Sequence, residues 1–408
     1  MNRIHLAALM TVFLFLPWVL HQPMVGLLLA TAASVAAALS QSLGALPWVV
    51  LALKLVLLVV VSLLVPLLWP GAGGLIPVNP DQHLYLDTAN RIAEALQVSL
   101  LRVDYAGIVG LHNRAYSVAL GWLAFLNGGS SILLYRLFNV FLSMVLAALA
   151  YALVRSLYPL SKRAAALIFL GVGLLPSVNL YSMFVLRDVM IATVLMLVVL
   201  GLFGQKLWVM IVGLALTYFT RIQLFFLLVG ALALFAAMRG ARRARRWAHG
   251  LSLVLVAGFV VAGYFVAPLV LPPEYDYSHA MSILLSFGRF LVHLVPSVLG
   301  LDFLFADQAS LELGRSTLAA ARLLLFDTWL IPLLFIGGAI WYKKMVPKCR
   351  EFYLWVAAVV MGYAAGYWIT YRVVFVRLLL PLYPLFLSAV GVGILSLREG
   401  VAKDFVAG

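Results

Sequence analysis

The sequence predicts an all-α fold: a polytopic bundle of about twelve transmembrane helices, with two outer loops that carry amphipathic or re-entrant helices. Three observations predict it. Apolar stretches recur from one end of the 408 residues to the other, and each can cross a hydrocarbon core of about 30 Å. Hydrophobic residues make up 65% of the chain and mean hydropathy is +1.11. Charged residues make up only 10%, against about 25% in an ordinary soluble domain, so a water-facing surface is excluded.

Element by element, the apolar runs predict spans at about 6–20, 24–40, 47–69, 131–157, 164–183, 189–205, 207–220, 222–238, 250–271, 324–342, 352–370 and 378–397. Residues 113–127 are apolar but follow a polar loop; they read as a re-entrant or interfacial helix, or as a further span. The first run follows Met1-Asn2-Arg3 and lacks a small-residue cleavage signature, which predicts a retained helix. No internal repeat and no soluble module interrupts the chain. Residues 1–408 form one membrane domain: 1–69 hold the first three spans, 70–130 the first outer loop and its interfacial helices, 131–271 the central spans, 272–323 the second outer loop, and 324–408 the last three spans. The single cysteine, Cys349, lies in a basic loop and excludes an internal disulfide or a cysteine-rich metal site.

Charge sets the orientation. Arg239, Arg242, Arg243, Arg245 and Arg246, with Arg155, Lys162, Arg163 and the group Lys343, Lys344, Lys348 and Arg350, read as cytoplasmic. The net charge of +14 then reflects loops beside anionic lipid and not nucleic-acid binding. Twelve spans with both termini inside leave two large loops outside. The basic residues there are all arginines, among them Arg91, Arg102, Arg114, Arg289, Arg315 and Arg322, and they share that side with most of the acids and several tyrosines. Arginine offers phosphate a planar, forked donor. The competing reading pairs these arginines with the acids or lets them snorkel to headgroups.

Four places carry candidate chemistry. In the first outer loop, Pro80-Asp81-Gln82-His83-Leu84-Tyr85 opens an amphipathic helix with Tyr85, Ala89, Ile92 and Leu96 on one face. Asp81 at its edge reads either as a helix cap or as a carboxylate aimed into a cavity, a general base or metal ligand. His83 and His112 lie near it. The turn Val185-Leu186-Arg187-Asp188 sets two opposite charges at a membrane boundary, as a local pair or as a phosphate and sugar site. Thr220-Arg221 interrupts two short spans. Arg372 and Arg377 precede the proline-kinked run Leu380-Pro381-Leu382-Tyr383-Pro384, where a phosphate headgroup can dock with its lipid tail along the helix. The second outer loop adds Pro272-Pro273-Glu274-Tyr275-Asp276-Tyr277 and an apolar stretch with Arg289 and His293. No nucleotide-binding loop, nucleophile elbow or zinc motif is present.

Taken in order, Asp81 through Tyr85 and Ala89, the Gly128-Gly129 turn leading to Arg136-Leu137-Phe138-Asn139, Leu174-Leu175-Pro176, Arg187-Asp188, Thr220-Arg221, and Arg377 ahead of Pro381 and Pro384 resemble the GT-C superfamily of membrane glycosyltransferases. The likeness is to bacterial relatives of protein O-mannosyltransferases and lipid A aminoarabinose transferases, and it covers about residues 75–397. It implies sugar transfer from a polyprenyl-phosphate donor at the outer face of a bacterial inner membrane, to a secreted protein, a lipid A or a glycan. It implies Asp81 as the base or the carboxylate linked to a divalent cation, with Arg187, Arg221 and Arg377 on the lipid phosphate and Arg372 beside them. Tyr85, Asp188, His83 and Arg289 are further substrate-binding candidates. The family often carries a second acid close to the first, for which Asp87 and Asp104 are the candidates here. The cofactor is left open.

Two alternatives remain. An O-antigen-type polymerase would rely on the outer arginines more than on Asp81. A lipid-linked sugar flippase or transporter would spread charge through the membrane core and show internal repeats; of the charged residues, Lys54 and Arg136 lie well inside predicted spans.

Overall fold

The computed structural model describes residues 21–76, 81–100, 102–109, 114–158, 162–243, 327–371 and 380–394. Regular structure among them is helical throughout. The helices are α1 (Pro23–Leu43), α2 (Leu46–Leu68), α3 (Asp81–Val98), α4 (Tyr105–Val109), α5 (Arg114–Asn127), α6 (Ile132–Leu157), α7 (Lys162–Gly173), α8 (Pro176–Ser182), α9 (Asp188–Phe203), α10 (Leu207–Thr220), α11 (Ile222–Arg243), α12 (Asp327–Gly338), α13 (Pro347–Tyr371) and α14 (Tyr383–Ile394). Three of them, α1, α2 and α6, are each long and apolar enough to cross a bilayer, and α5, α9, α10, α14 and the first half of α11 are shorter apolar helices. That content is the content of a membrane protein. The spans expected at 6–20 and 250–271, the loop 272–323, His112, Arg289, Arg372 and Arg377 lie outside the described residues.

The span expected at 164–183 differs in form. It consists of α7 and α8, bent by 45° at Leu174-Leu175. The cause is Pro176, which has no backbone N–H and forces its predecessor out of the helical region; Leu175 sits at φ −50°, ψ 117°. The polar groups freed at the break find partners on two other helices. Asp327, buried at the start of α12, accepts hydrogen bonds from both the backbone N–H and the hydroxyl of Ser177. Lys54, buried in α2, donates to the Asn179 side-chain oxygen.

Helix α6 is the hub. It packs against α1, α2, α7 and α9, and its buried residues run from Leu134 to Leu157. Helix α9 packs on α6, with the Thr193 hydroxyl donating to the Leu142 carbonyl, and on α10 through glycine. A Cβ on Gly201 would meet the Met210 backbone at 2.4 Å, and one on Gly213 would meet the Val198 backbone nitrogen at 2.9 Å. Small residues let apolar helices approach this closely where burial in water gives no driving force. The same two contacts fix an antiparallel register that brings Arg221, at the end of α10, level with the first turn of α9.

The two ends of the bundle differ in charge. At one end Lys348 donates to the Ser156 carbonyl, Arg155 bonds the Tyr151 hydroxyl, and Lys344 and Arg350 stack over Trp341 and Tyr342. The end of α6 and the start of α13 therefore share one basic layer. At the opposite end lie the start of α3, the 183–188 turn and Thr220-Arg221.

Candidate functional site

Helix α3 is amphipathic for a structural reason: Tyr85, Ala89, Ile92 and Leu96 are buried on one face while His83, Leu84, Arg91 and Glu94 are exposed. That buried face packs on α5, and the two helices run side by side in the same direction, Tyr85 against Tyr116 and Ile92 against Gly121. A Cβ on Gly121 would meet Ile92 at 2.4 Å, so this glycine sets the spacing. Helix α5 then turns into α6 at Gly128, whose φ of 75° suits glycine, and the resulting hairpin puts Tyr116 beside Phe138 and Asn139. Residues 114–127 are thus a helix packed on the amphipathic α3, with Tyr116 reaching α6.

Three buried side chains hold the 183–188 turn to this platform. Gln82 donates through Nε2 to the Ile76 carbonyl and accepts through Oε1 from the Val185 N–H. Asn139 donates to the carbonyls of Phe184 (2.7 Å) and Leu186 (3.2 Å). Arg136 donates from Nε to the Met183 carbonyl at 2.7 Å and from Nη2 to the Gly74 carbonyl at 2.8 Å. A loop without ladder hydrogen bonds is costly to bury, and these side chains replace the ladder.

The turn so held delivers Arg187 to Tyr85, the guanidinium carbon 6.0 Å from the ring centroid. This is a cation–π contact. Arg187 makes no ion pair with Asp188 or any other described acid, and its Nη1 is buried without a hydrogen-bond partner. Asn139 Oδ1 is likewise buried and unpaired. The Tyr116 hydroxyl accepts from Asn139 at 3.1 Å, which leaves its own proton to donate. Asp188, 3% exposed, opens α9 within electrostatic reach of that phenol. Unspent donors and acceptors therefore gather at one place, and native interiors rarely leave such groups unmatched without a ligand or a function.

Of the residues singled out by sequence, Tyr85, Arg187 and Asp188 meet here. Asp81 is the first residue of α3, one helical turn from Tyr85 on the same face, and is partly exposed. Arg221 is buried, 6% exposed, and lies level with the start of α9. His83 is exposed and points away from this buried set. Asp87 is exposed on α3, and Asp104 caps its own turn by accepting from the Gly107 N–H at 2.9 Å. The 3₁₀ turn Leu380–Leu382 packs on α9. Gln82 and Tyr116 carry as much of the site as any charged residue. Their only signal in the sequence is a polar or hydroxyl-bearing residue on the apolar face of a short helix. Among the described residues no group of three or more His, Cys, Asp or Glu is placed to hold a metal ion. No protein family, characterised protein or solved structure matches the chain.

Proposed function

We propose that the chain is a polytopic membrane glycosyltransferase of GT-C type, moving a sugar from a polyprenyl-phosphate donor to a protein, lipid A or glycan acceptor. The observation that carries this reading is the buried, unpaired Nη1 of Arg187, held over Tyr85 at the mouth of α9. A guanidinium so placed is a donor awaiting an acceptor, and a phosphate oxygen is its best match. Arg221 adds a second cation to the same end of the bundle. Asp81, one turn before Tyr85, is the carboxylate within the group that can take the proton of an acceptor hydroxyl as the glycosidic bond forms. Asp188 and Tyr116 are placed to orient the sugar. About twelve spans, the basic layer cytoplasmic and this site facing the periplasm of a bacterial inner membrane complete the reading.

The test uses the purified full chain in nanodiscs with a radiolabelled polyprenyl-phosphate sugar and envelope lipids or secreted protein as acceptor. Label transferred to an acceptor supports the proposal. Label that crosses the bilayer with no acceptor present supports the second reading, a lipid-linked sugar transporter. That alternative has one observation in its favour: a broken span with ionisable partners, Lys54 and Asp327, inside the bundle.

A further inference from the structure

A groove opens beside the candidate site and shares Arg136 with it. It encloses about 450 Å³ between the second half of α2, the start of α6 and α3. Leu63, Leu86 and Leu133 make apolar walls, and Ser62, Ser131 and Arg136 make a polar floor. The groove opens on the outside of the bundle: Leu63 is 59% exposed, and Val60, Leu64 and Leu67 beside it on α2 are exposed as well. This strip is the surface a bilayer would cover.

Among the described residues the floor has no counter-charge. Arg136 is 2% exposed, and its hydrogen bonds go to two backbone carbonyls, those of Met183 and Gly74. No described carboxylate pairs with it. The Ser62 hydroxyl is also buried without a hydrogen-bond partner. A buried cation with neutral partners alone is costly in a low-dielectric setting, and an anion reaching the floor from the lipid side removes that cost.

We propose that this groove is a binding site for one anionic phospholipid of the surrounding bilayer, its phosphate on Arg136 and Ser62 and an acyl chain along Leu63 and Leu133. Basic pockets between membrane helices recognise lipid headgroups in this way. Because Arg136 also holds the Met183 carbonyl, the bound lipid would brace the turn that presents Arg187. The proposal needs lipid binding and not sugar transfer, so it stands or falls apart from the catalytic reading.

The experiment is native mass spectrometry of the full chain released from nanodiscs of phosphatidylcholine doped with phosphatidylglycerol. Expected is one retained phosphatidylglycerol, favoured at least about fivefold over phosphatidylcholine, with dioleoylglycerol, which has no phosphate, not retained. Leu63→Trp fills the groove from an exposed position and should abolish retention, while Leu67→Trp, on the same exposed strip but outside the groove, should not. Arg136→Gln should lose the preference for the anionic lipid; should that variant fail to insert, Leu63→Trp carries the test. Equal retention of the two phospholipids, or unchanged retention in Leu63→Trp, overturns the proposal. Displacement of phosphatidylglycerol by farnesyl phosphate at equal concentration would also overturn it, by assigning the groove to a single-chain ligand; displacement by inorganic phosphate would mark a free-anion site instead.

Discussion

Two buried polar regions of this molecule are built in opposite ways. At the α7–α8 break, Lys54 is matched to Asn179 and Asp327 to Ser177: the Ser177 N–H left by the break and the side chains beside it meet side chains from α2 and α12. At the start of α3, the same bundle leaves the Arg187 Nη1, the Asn139 Oδ1 and the Tyr116 proton without partners. Both regions are desolvated, so both face the same penalty for an unmatched polar group, about 1–3 kcal/mol. The break is a structural joint because Lys54, Asn179, Ser177 and Asp327 each have at least one partner across it. The α3 site reads as a binding site because its leftover groups have none.

This contrast can be broken by variants that separate chemistry from stability. The largest effect is expected at Asp81. Asp81→Asn keeps the helix-start hydrogen-bonding capacity and removes the base, so transfer should fall at least about 100-fold, the lower range of general-base effects, with insertion and donor binding retained. Turnover by purified protein measures it, and near-normal turnover would reduce Asp81 to a structural residue and favour the arginine-driven polymerase. Next is Lys54→Met at the joint. It strands the Asn179 oxygen and should lower stability by about 2 kcal/mol, read as a lower unfolding temperature in detergent, without altering donor affinity. A loss of donor affinity with unchanged stability would move Lys54 into the site and support the transporter.

Arg187→Lys is the mirror experiment. It keeps the charge but loses the fork and the planar stacking on Tyr85, so donor affinity should fall about tenfold, a typical loss for one charge-assisted hydrogen bond, with the unfolding temperature unchanged. If the Lys variant binds donor normally, the headgroup assignment fails. The smallest effect is expected for Ser177→Ala, about 1 kcal/mol of stability and no change in binding, since Ser177 serves the Asp327 contact alone. His83→Ala, on the exposed face of α3, serves as the reference variant and should leave both readouts where they are.

Much of the frame was legible in the residues, because the period and length of apolar runs report burial directly. The expected spans at 24–40, 47–69 and 131–157 correspond to α1, α2 and α6 within a few residues. Leu174-Leu175-Pro176 was visible as a proline-terminated helix, yet the sequence alone reads 164–183 as one apolar run; hydropathy registers composition and not the bend that a missing N–H imposes. Arg187 and Tyr85 were each singled out, a hundred residues apart, but their meeting was not legible. It depends on Gln82, Asn139 and Arg136 tying down the 183–188 turn, and long-range hydrogen bonds leave no periodic trace.

The sequence by itself determined that this chain is helical and apolar enough to belong in a membrane, and that Asp81, Arg187 and Arg221 are charges in need of a reason. Those properties follow from local composition, which needs no partner to be read. Tertiary structure alone decided which charges are spent and which are left over. Lys54 and Arg136 look alike in the sequence, two cations inside apolar runs; one faces the oxygen of Asn179 at a broken helix, and the other holds two carbonyls at the floor of a groove with no described carboxylate beside it. The difference is set by what the fold brings within about 3 Å of each, the reach of a hydrogen bond.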